Sequence, residues 1–182
     1  MARDWSPDLY DRAFRFAAKA HRGQTMKDSG LPYLVHLGLV AMEVIAALEA
    51  ETGRDGDLAV QCALLHDTLE DTTVTEPRLR AAFGTAVARG VSALTKNDQL
   101  TKPDRIPDTL RRIRRQPREI WMVKLADRIV NLAPPPRGWT PAKIDAYRED
   151  ARRIHEALAW ASPCLADRLR RKIEAYPGPH AR

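Results

Sequence analysis

The 182 residues carry 30 Lys+Arg against 24 Asp+Glu, a formal net charge of +6, and 44% of them are hydrophobic. That is one domain's length, apolar enough for a sizeable core, with no run near the roughly 18–20 apolar residues that cross a bilayer. The stretch with Asp4 and Asp8 lacks a secretory apolar segment, and Cys62 and Cys164 are too few for a disulfide framework or a Cys-rich zinc site, so the expectation is no membrane partner and a reducing, cytoplasmic setting.

In chain order the punctuation is that of helices. Ser6-Pro7-Asp8 combines a hydroxyl cap, a proline whose missing N–H costs nothing and an early acid. Leu9, Ala13, Phe16, Ala17 and Ala20 follow at helical spacing. Leu37, Val40, Ala41, Val44 and Leu48 form a second stripe that ends before Thr52-Gly53. Asp57 is expected to cap a third helix, with Leu58, Cys62, Leu65 and Leu69. Thr75 opens a short helix that stops at Phe83-Gly84, and Thr85 opens another with Val87, Val91 and Leu94. Ile120, Val123, Leu125, Ile129 and Leu132 mark a longer apolar segment. Thr140-Pro141 and Ser162-Pro163 repeat the cap-plus-proline device ahead of Ile144, Tyr147, Ala151, Ile154 and Leu158, and of Leu165, Leu169 and Ile173. Strand alternation is missing throughout. The expected fold is therefore all-α, a single bundle of about seven to nine helices over residues 1–176. Pro134-Pro135-Pro136 reads as a stiff connection within the domain, and 177–182 as a frayed tail.

Charge is unevenly spread. Between Lys102 and Arg118 seven basic residues face only Asp104 and Asp108, which places five of the six net positive charges in one segment. Such a run is most often a solvated helix face, and it also concentrates small anions. No aromatic side chain within it is available to stack on bases, so nucleic acid is the minority reading.

The chemistry concentrates elsewhere. His66-Asp67 ends an apolar helix, while His36 and Asp127 lie on the inward faces of two others. Burying an aspartate is costly unless it is paired or metal-bound. Asp127 has a bland alternative in a pair with Lys124 or Arg128. Two inward histidines and two inward carboxylates on three helices make a mixed N/O site suited to a divalent transition metal with open positions. Glu70 and Asp71, four residues beyond His66 and Asp67, continue the same faces if the helix persists. His155 and His180 have no such companions and read as surface and tail residues.

His36, His66-Asp67 and Asp127, in that order, resemble the H…HD…D signature of the HD phosphohydrolases. More narrowly, His66-Asp67-Thr68-Leu69-Glu70-Asp71-Thr72 resembles the HDT-x-EDT motif of the Rel/SpoT alarmone hydrolase domain. The segments Ala17–Gln24, Gly30–His36, Val123–Arg128 and Gly138-Trp139 match the same pattern. The resemblance covers roughly residues 8 to 160, the length of a stand-alone small alarmone hydrolase of the metazoan SpoT-homologue kind. It implies Mn2+ held by His36, His66, Asp67 and Asp127, with Glu70 and Asp71 positioning or deprotonating the water that attacks a 3′-pyrophosphate. It also implies nucleotide contacts from Lys27, Asn131, Lys143 and Tyr147. Met26 departs from the pattern, standing where an arginine usually packs on guanine, and Leu37 and Lys96-Asn97-Asp98 depart as well. The implied substrates are therefore (p)ppGpp and, with the altered base pocket, (pp)pApp. A different HD-type nucleotide phosphohydrolase, or a silent nucleotide- or RNA-binding regulator using Arg111–Arg118, is the competing reading. The partner expected is a small nucleotide, with a homo-oligomer left open.

Overall fold

The computed structural model describes residues 5–26 and 29–177. Lys27, one of the expected nucleotide contacts, and His180 lie outside the described residues, as does nearly all of the expected tail.

Nine α-helices run along the described residues: α1 Pro7–Ala20, α2 Leu34–Ala50, α3 Gly56–Leu65, α4 Thr68–Asp71, α5 Glu76–Leu94, α6 Lys102–Ile113, α7 Arg118–Asn131, α8 Pro141–Leu158 and α9 Pro163–Ala175. A 3-10 turn, Ala159–Ala161, joins the last two. Among the described residues the extended pairing is limited to one isolated bridge, Thr25 with Pro32. The all-α expectation holds.

Of the six expected starts, three use the predicted cap. Ser6, Thr140 and Ser162 accept the backbone N–H groups of Leu9, Lys143 and Leu165, which satisfies donors that the first turn leaves orphaned. Thr75 precedes α5 without a side-chain cap bond, and Thr85 falls inside α5. The start expected at Asp57 differs. Asp55, not Asp57, caps α3, accepting from Leu58 N at 2.9 Å. Asp57 lies inside the first turn and instead accepts the Ser6 amide at 2.6 Å, tying the start of α1 to α3. The two helices expected on either side of Phe83-Gly84 are the two halves of α5, broken where Gly84 takes φ 84°, ψ 172°.

Helix α7 forms the centre. It packs against α2, α3, α8 and α9, and most of its residues from Glu119 to Ile129 are buried. A helix buried on most sides takes its polar residues out of water, so Glu119, Lys124, Asp127 and Arg128 each need a reason to be there. Helix α5 approaches α3 and α7 at Gly90, where an added Cβ would lie 2.5 Å from Ile120 Cδ1 and 2.9 Å from Cys62 Sγ. Only glycine fits that crossing.

Much of the basic run is used structurally. Arg112 wraps the end of α5, donating to the carbonyls of Ser92, Ala93 and Thr95 while pairing with Asp108. Arg111 also pairs with Asp108, and Arg105 donates to Leu100 O and pairs with Asp98. The guanidiniums serve as caps for carbonyls that a helix end leaves unpaired.

Candidate active site

Helices α2, α3 and α7 meet at one end of the bundle, and each brings one element of a four-residue cluster. His36 sits in the first turn of α2, His66 at the end of α3 and Asp67 directly after it, and Asp127 in the buried centre of α7. Both imidazoles are 4% exposed and Asp127 is 7% exposed. The expectation that these residues point inward is met.

The helix does not run through His66-Asp67. Asp67 takes φ −96°, ψ 0°, and the chain resumes helical form only for the single turn of α4. Thr68 and Thr72 stabilise the break, their hydroxyls donating to Leu65 O and Thr68 O. Neighbouring side chains on an unbroken helix diverge by about 100°. The break lets His66 and Asp67 face the same point.

The polar atoms converge closely. His66 Nε2 lies 3.0 Å from Asp67 Oδ2 and 3.3 Å from His36 Nε2. His36 Nε2 lies 3.6 Å from Asp67 Oδ2 and from Asp127 Oδ1, and His66 Nε2 lies 3.8 Å from Asp127 Oδ1. His36, His66 and Asp67 thus present three ligand atoms all within 4.8 Å of one another. Such separations suit neighbouring ligands on one ion with bonds of about 2.0–2.2 Å. The donor chemistry also fits, since imidazole nitrogen with carboxylate oxygen suits divalent transition metals.

Surrounding groups fix the ligands. His66 Nδ1 donates to Ala63 O at 2.8 Å, which turns Nε2 to the cluster. Tyr33 donates its hydroxyl to Asp67 Oδ2 at 2.5 Å, and Lys124 Nζ holds Asp127 Oδ2 at 2.9 Å. Asn131 donates to the other oxygen, Asp127 Oδ1. Of the two pairings open to Asp127, the structure selects Lys124.

The electrostatics are those of a site built for a cation. Burial opposes ionisation of Asp127, but Lys124 and then His66 outweigh it and hold the carboxyl well below the usual range. Burial likewise opposes ionisation of Asp67, overcome first by His66. Burial keeps His36 below the ordinary imidazole value, leaving its ring neutral at pH 7. His66 goes the other way. Burial disfavours its charge, but Asp67 beside it raises the pKa to about 9.

Glu70 and Asp71 flank this cluster on α4. Lys96, just past the end of α5, grips both Glu70 oxygens: its backbone N–H reaches Oε2 at 2.9 Å and its Nζ reaches Oε1 at 2.5 Å. Burial and the neighbouring charges of Asp67 and Glu70 raise the Asp71 pKa. His21 stacks on Tyr33 with centroids 5.1 Å apart and contacts Gln24 through Nδ1, and Gln24 donates to Asp71 O at 2.6 Å. A cavity of about 270 Å³ opens over the cluster and takes in Asp67, Glu70, Asp71 and Asp127 together with Asn131 and Tyr147.

The remaining expected contacts lie less close. Met26 is half-buried in the loop before α2, its N–H bonded to Leu31 O and its carbonyl to Gly30 N. Lys143 is exposed on α8 with Nζ 4.0 Å from the centroid of Trp139. Neither lines the cavity. Tyr33, Lys96, Lys124 and Arg128 also line it; sequence reasoning named Lys124 and Arg128 only as pairing options for Asp127 and gave Tyr33 and Lys96 no site role. His155, expected on the surface, is half-buried with Nε2 3.1 Å from Ala166 O on α9.

Known proteins are similar to this chain in sequence and in fold. Residues 13–163 match the family model described as the HD domain. The chain is 34% identical over 161 residues to a Danio rerio protein named guanosine-3′,5′-bis(diphosphate) 3′-pyrophosphohydrolase MESH1, covering 85% of this chain and 86% of that one. The Mus musculus protein of the same name is 32% identical over 164 residues, with 87% and 89% covered. A solved structure described as a metazoan orthologue of SpoT that hydrolyses ppGpp superposes with a TM-score of 0.80 at 25% identity, covering 93% of this chain and 96% of that one. The chain belongs to the HD domain family and is homologous to MESH1 over most of its length.

Proposed function

We propose that this chain is a manganese-dependent hydrolase of alarmone nucleotides, removing the 3′-pyrophosphate of (p)ppGpp and also of (pp)pApp. The observation that carries this reading is the convergence of His36, His66, Asp67 and Asp127 on one point, with Glu70 and Asp71 beside it. Relatives that bear the name of a ppGpp 3′-pyrophosphohydrolase support the substrate class.

His36, His66, Asp67 and Asp127 would hold the ion. A divalent metal there supplies Lewis acidity, lowering the pKa of water and neutralising charge on phosphoryl oxygens. Glu70, anchored by Lys96, accepts the proton of the water that attacks the α-phosphorus of the 3′-pyrophosphate, and Asp71 orients that water. The bond from that phosphorus to O3′ breaks, O3′ leaves with a proton as the 3′-hydroxyl, and pyrophosphate is released. Lys124 and Tyr33 keep Asp127 and Asp67 ionised and aimed, so little reorganisation accompanies the reaction. Tyr147 offers a wall to the nucleoside; Asn131, Lys27 and Lys143 supply polar contacts to it. Met26 contacts the base by shape and apolar fit, which tolerates adenine as well as guanine because it demands no hydrogen bond.

The test is turnover with and without manganese, using 3′-pyrophosphorylated and 3′-phosphorylated guanine and adenine nucleotides. Metal-dependent hydrolysis confined to the 3′-pyrophosphorylated substrates, adenine included, is the expected outcome. Turnover that persists in chelator, or that spares every 3′-pyrophosphate, would refute the reading.

A further inference from the structure

Three cations line the cavity over the metal cluster, and two of them are already engaged. Lys96 holds Glu70 and Lys124 holds Asp127. The third is Arg128. It is 7% exposed, and its Nε and Nη1 are buried with no hydrogen-bond partner among the described residues. Among those residues no carboxylate lies in ion-pair reach of it, although Asp127 is its immediate neighbour in sequence. Its guanidinium stacks on Tyr147, with Cζ 4.5 Å from the ring centroid. Tyr147 is in turn held by Trp139 and Tyr176, with centroids 5.2 and 6.0 Å away.

A buried guanidinium with idle donors is costly, since the charge has lost water and gained no acceptor. The stacking fixes its plane and leaves these in-plane donors unused. The hydrogens on Nε and Nη1 lie on different edges of that plane, so each nitrogen can take a separate oxygen of an anionic group. We propose that Arg128 is a substrate-binding residue whose Nε and Nη1 take the phosphoryl oxygens of the pyrophosphate group in the cavity. Tyr147 acts as its positioning residue, holding the fork edge-on to the ligand. The assignment rests on the phosphohydrolase reading above and adds to it the side chain that recognises the anionic group.

The experiment compares the manganese-loaded wild type with Arg128→Met and Arg128→Lys. Three quantities are measured: KM and kcat for guanosine 3′,5′-bis(diphosphate), the inhibition constant of inorganic pyrophosphate, and calorimetric binding of pyrophosphate. Arg128→Met should raise KM and the pyrophosphate constants about 10–100-fold, with metal content unchanged. Arg128→Lys keeps the charge but not the fork and should fall between. A residue that served packing alone would lower the active fraction, and hence kcat, while leaving KM and pyrophosphate binding within about twofold of wild type. That result in either variant overturns the assignment, and if the Met variant does not fold, the Lys variant decides. A wild type that binds pyrophosphate through Arg128 but turns over no nucleotide would refute the proposed function and leave the anion site standing.

Discussion

Lys96 holds both carboxylate oxygens of Glu70, one through its backbone N–H and one through its ammonium, from a loop 26 residues away in sequence. Burial alone would depress the Lys96 pKa, but Glu70 raises it above the ordinary lysine value. The double contact gives Glu70 one orientation beside Asp67. Glu70→Gln preserves shape and the backbone contact but accepts no proton. Metal should remain bound while kcat falls on the order of 10²–10⁴-fold. Metal analysis alongside kcat checks this, and loss of metal would make Glu70 a ligand instead.

Asp127→Ala has a different expected signature. It removes a charged ligand and strands Lys124, itself buried, without its carboxylate. Metal content and turnover should disappear together, because an ion held by three remaining groups loses both charge and geometry. Dialysis followed by metal quantification is the check. Full activity after that treatment would remove Asp127 from the site.

The proposed metal-holding residues were legible because they lie on or directly after helices with periodic apolar residues, where a polar inward residue stands out against its neighbours. The groups that hold them were not. Tyr33 reaches Asp67 across 34 residues and Lys96 reaches Glu70 across 26, and no local pattern encodes such contacts. Asp55 and Asp57 were indistinguishable as caps, both being acids at the same helix start; the structure separates them by giving Asp57 to Ser6. The helix end at His66-Asp67 was legible, but the separate turn of α4 that follows was not, since Thr68-Leu69-Glu70-Asp71 continues a helical pattern that the threonine hydroxyls interrupt. Arg128 stood out in the sequence only as one of two pairing options for Asp127 and as the end of a matching motif. Its meaning emerges only once Tyr147 is placed beside it.

Met26 bears on base choice. Its side chain offers an adaptable apolar contact with almost no capacity to donate hydrogen bonds. Met26→Arg should shift the kcat/KM ratio toward guanosine substrates by about 10–200-fold at most, the range open to a single contact of this kind, without altering metal content. Paired kcat/KM measurements on guanosine and adenosine 3′-pyrophosphates check it. A strong guanine preference in the wild type, unchanged by the substitution, would mean another residue reads the base.

Gly90 tests the packing that carries the site. Helix α7 and the end of α3 position three of the four residues proposed to hold the metal, and α5 meets both helices at this glycine. Gly90→Val forces branched atoms against Ile120 and Cys62, both fully buried. Overpacking of this kind costs about 1–3 kcal/mol, which for a domain of this size lowers Tm by roughly 2–12 °C. Thermal unfolding followed by circular dichroism is the measurement, and an unchanged Tm would show that the crossing has slack.

The central claim is that four converging ligands and one anchored glutamate cleave a 3′-pyrophosphate as a unit. Product analysis by phosphorus NMR tests it most directly, with guanosine 3′,5′-bis(diphosphate) and stoichiometric manganese. The account predicts equimolar inorganic pyrophosphate and guanosine 5′-diphosphate, with neither formed after chelation. Stepwise release of orthophosphate, or the same products from the chelated protein, would contradict it.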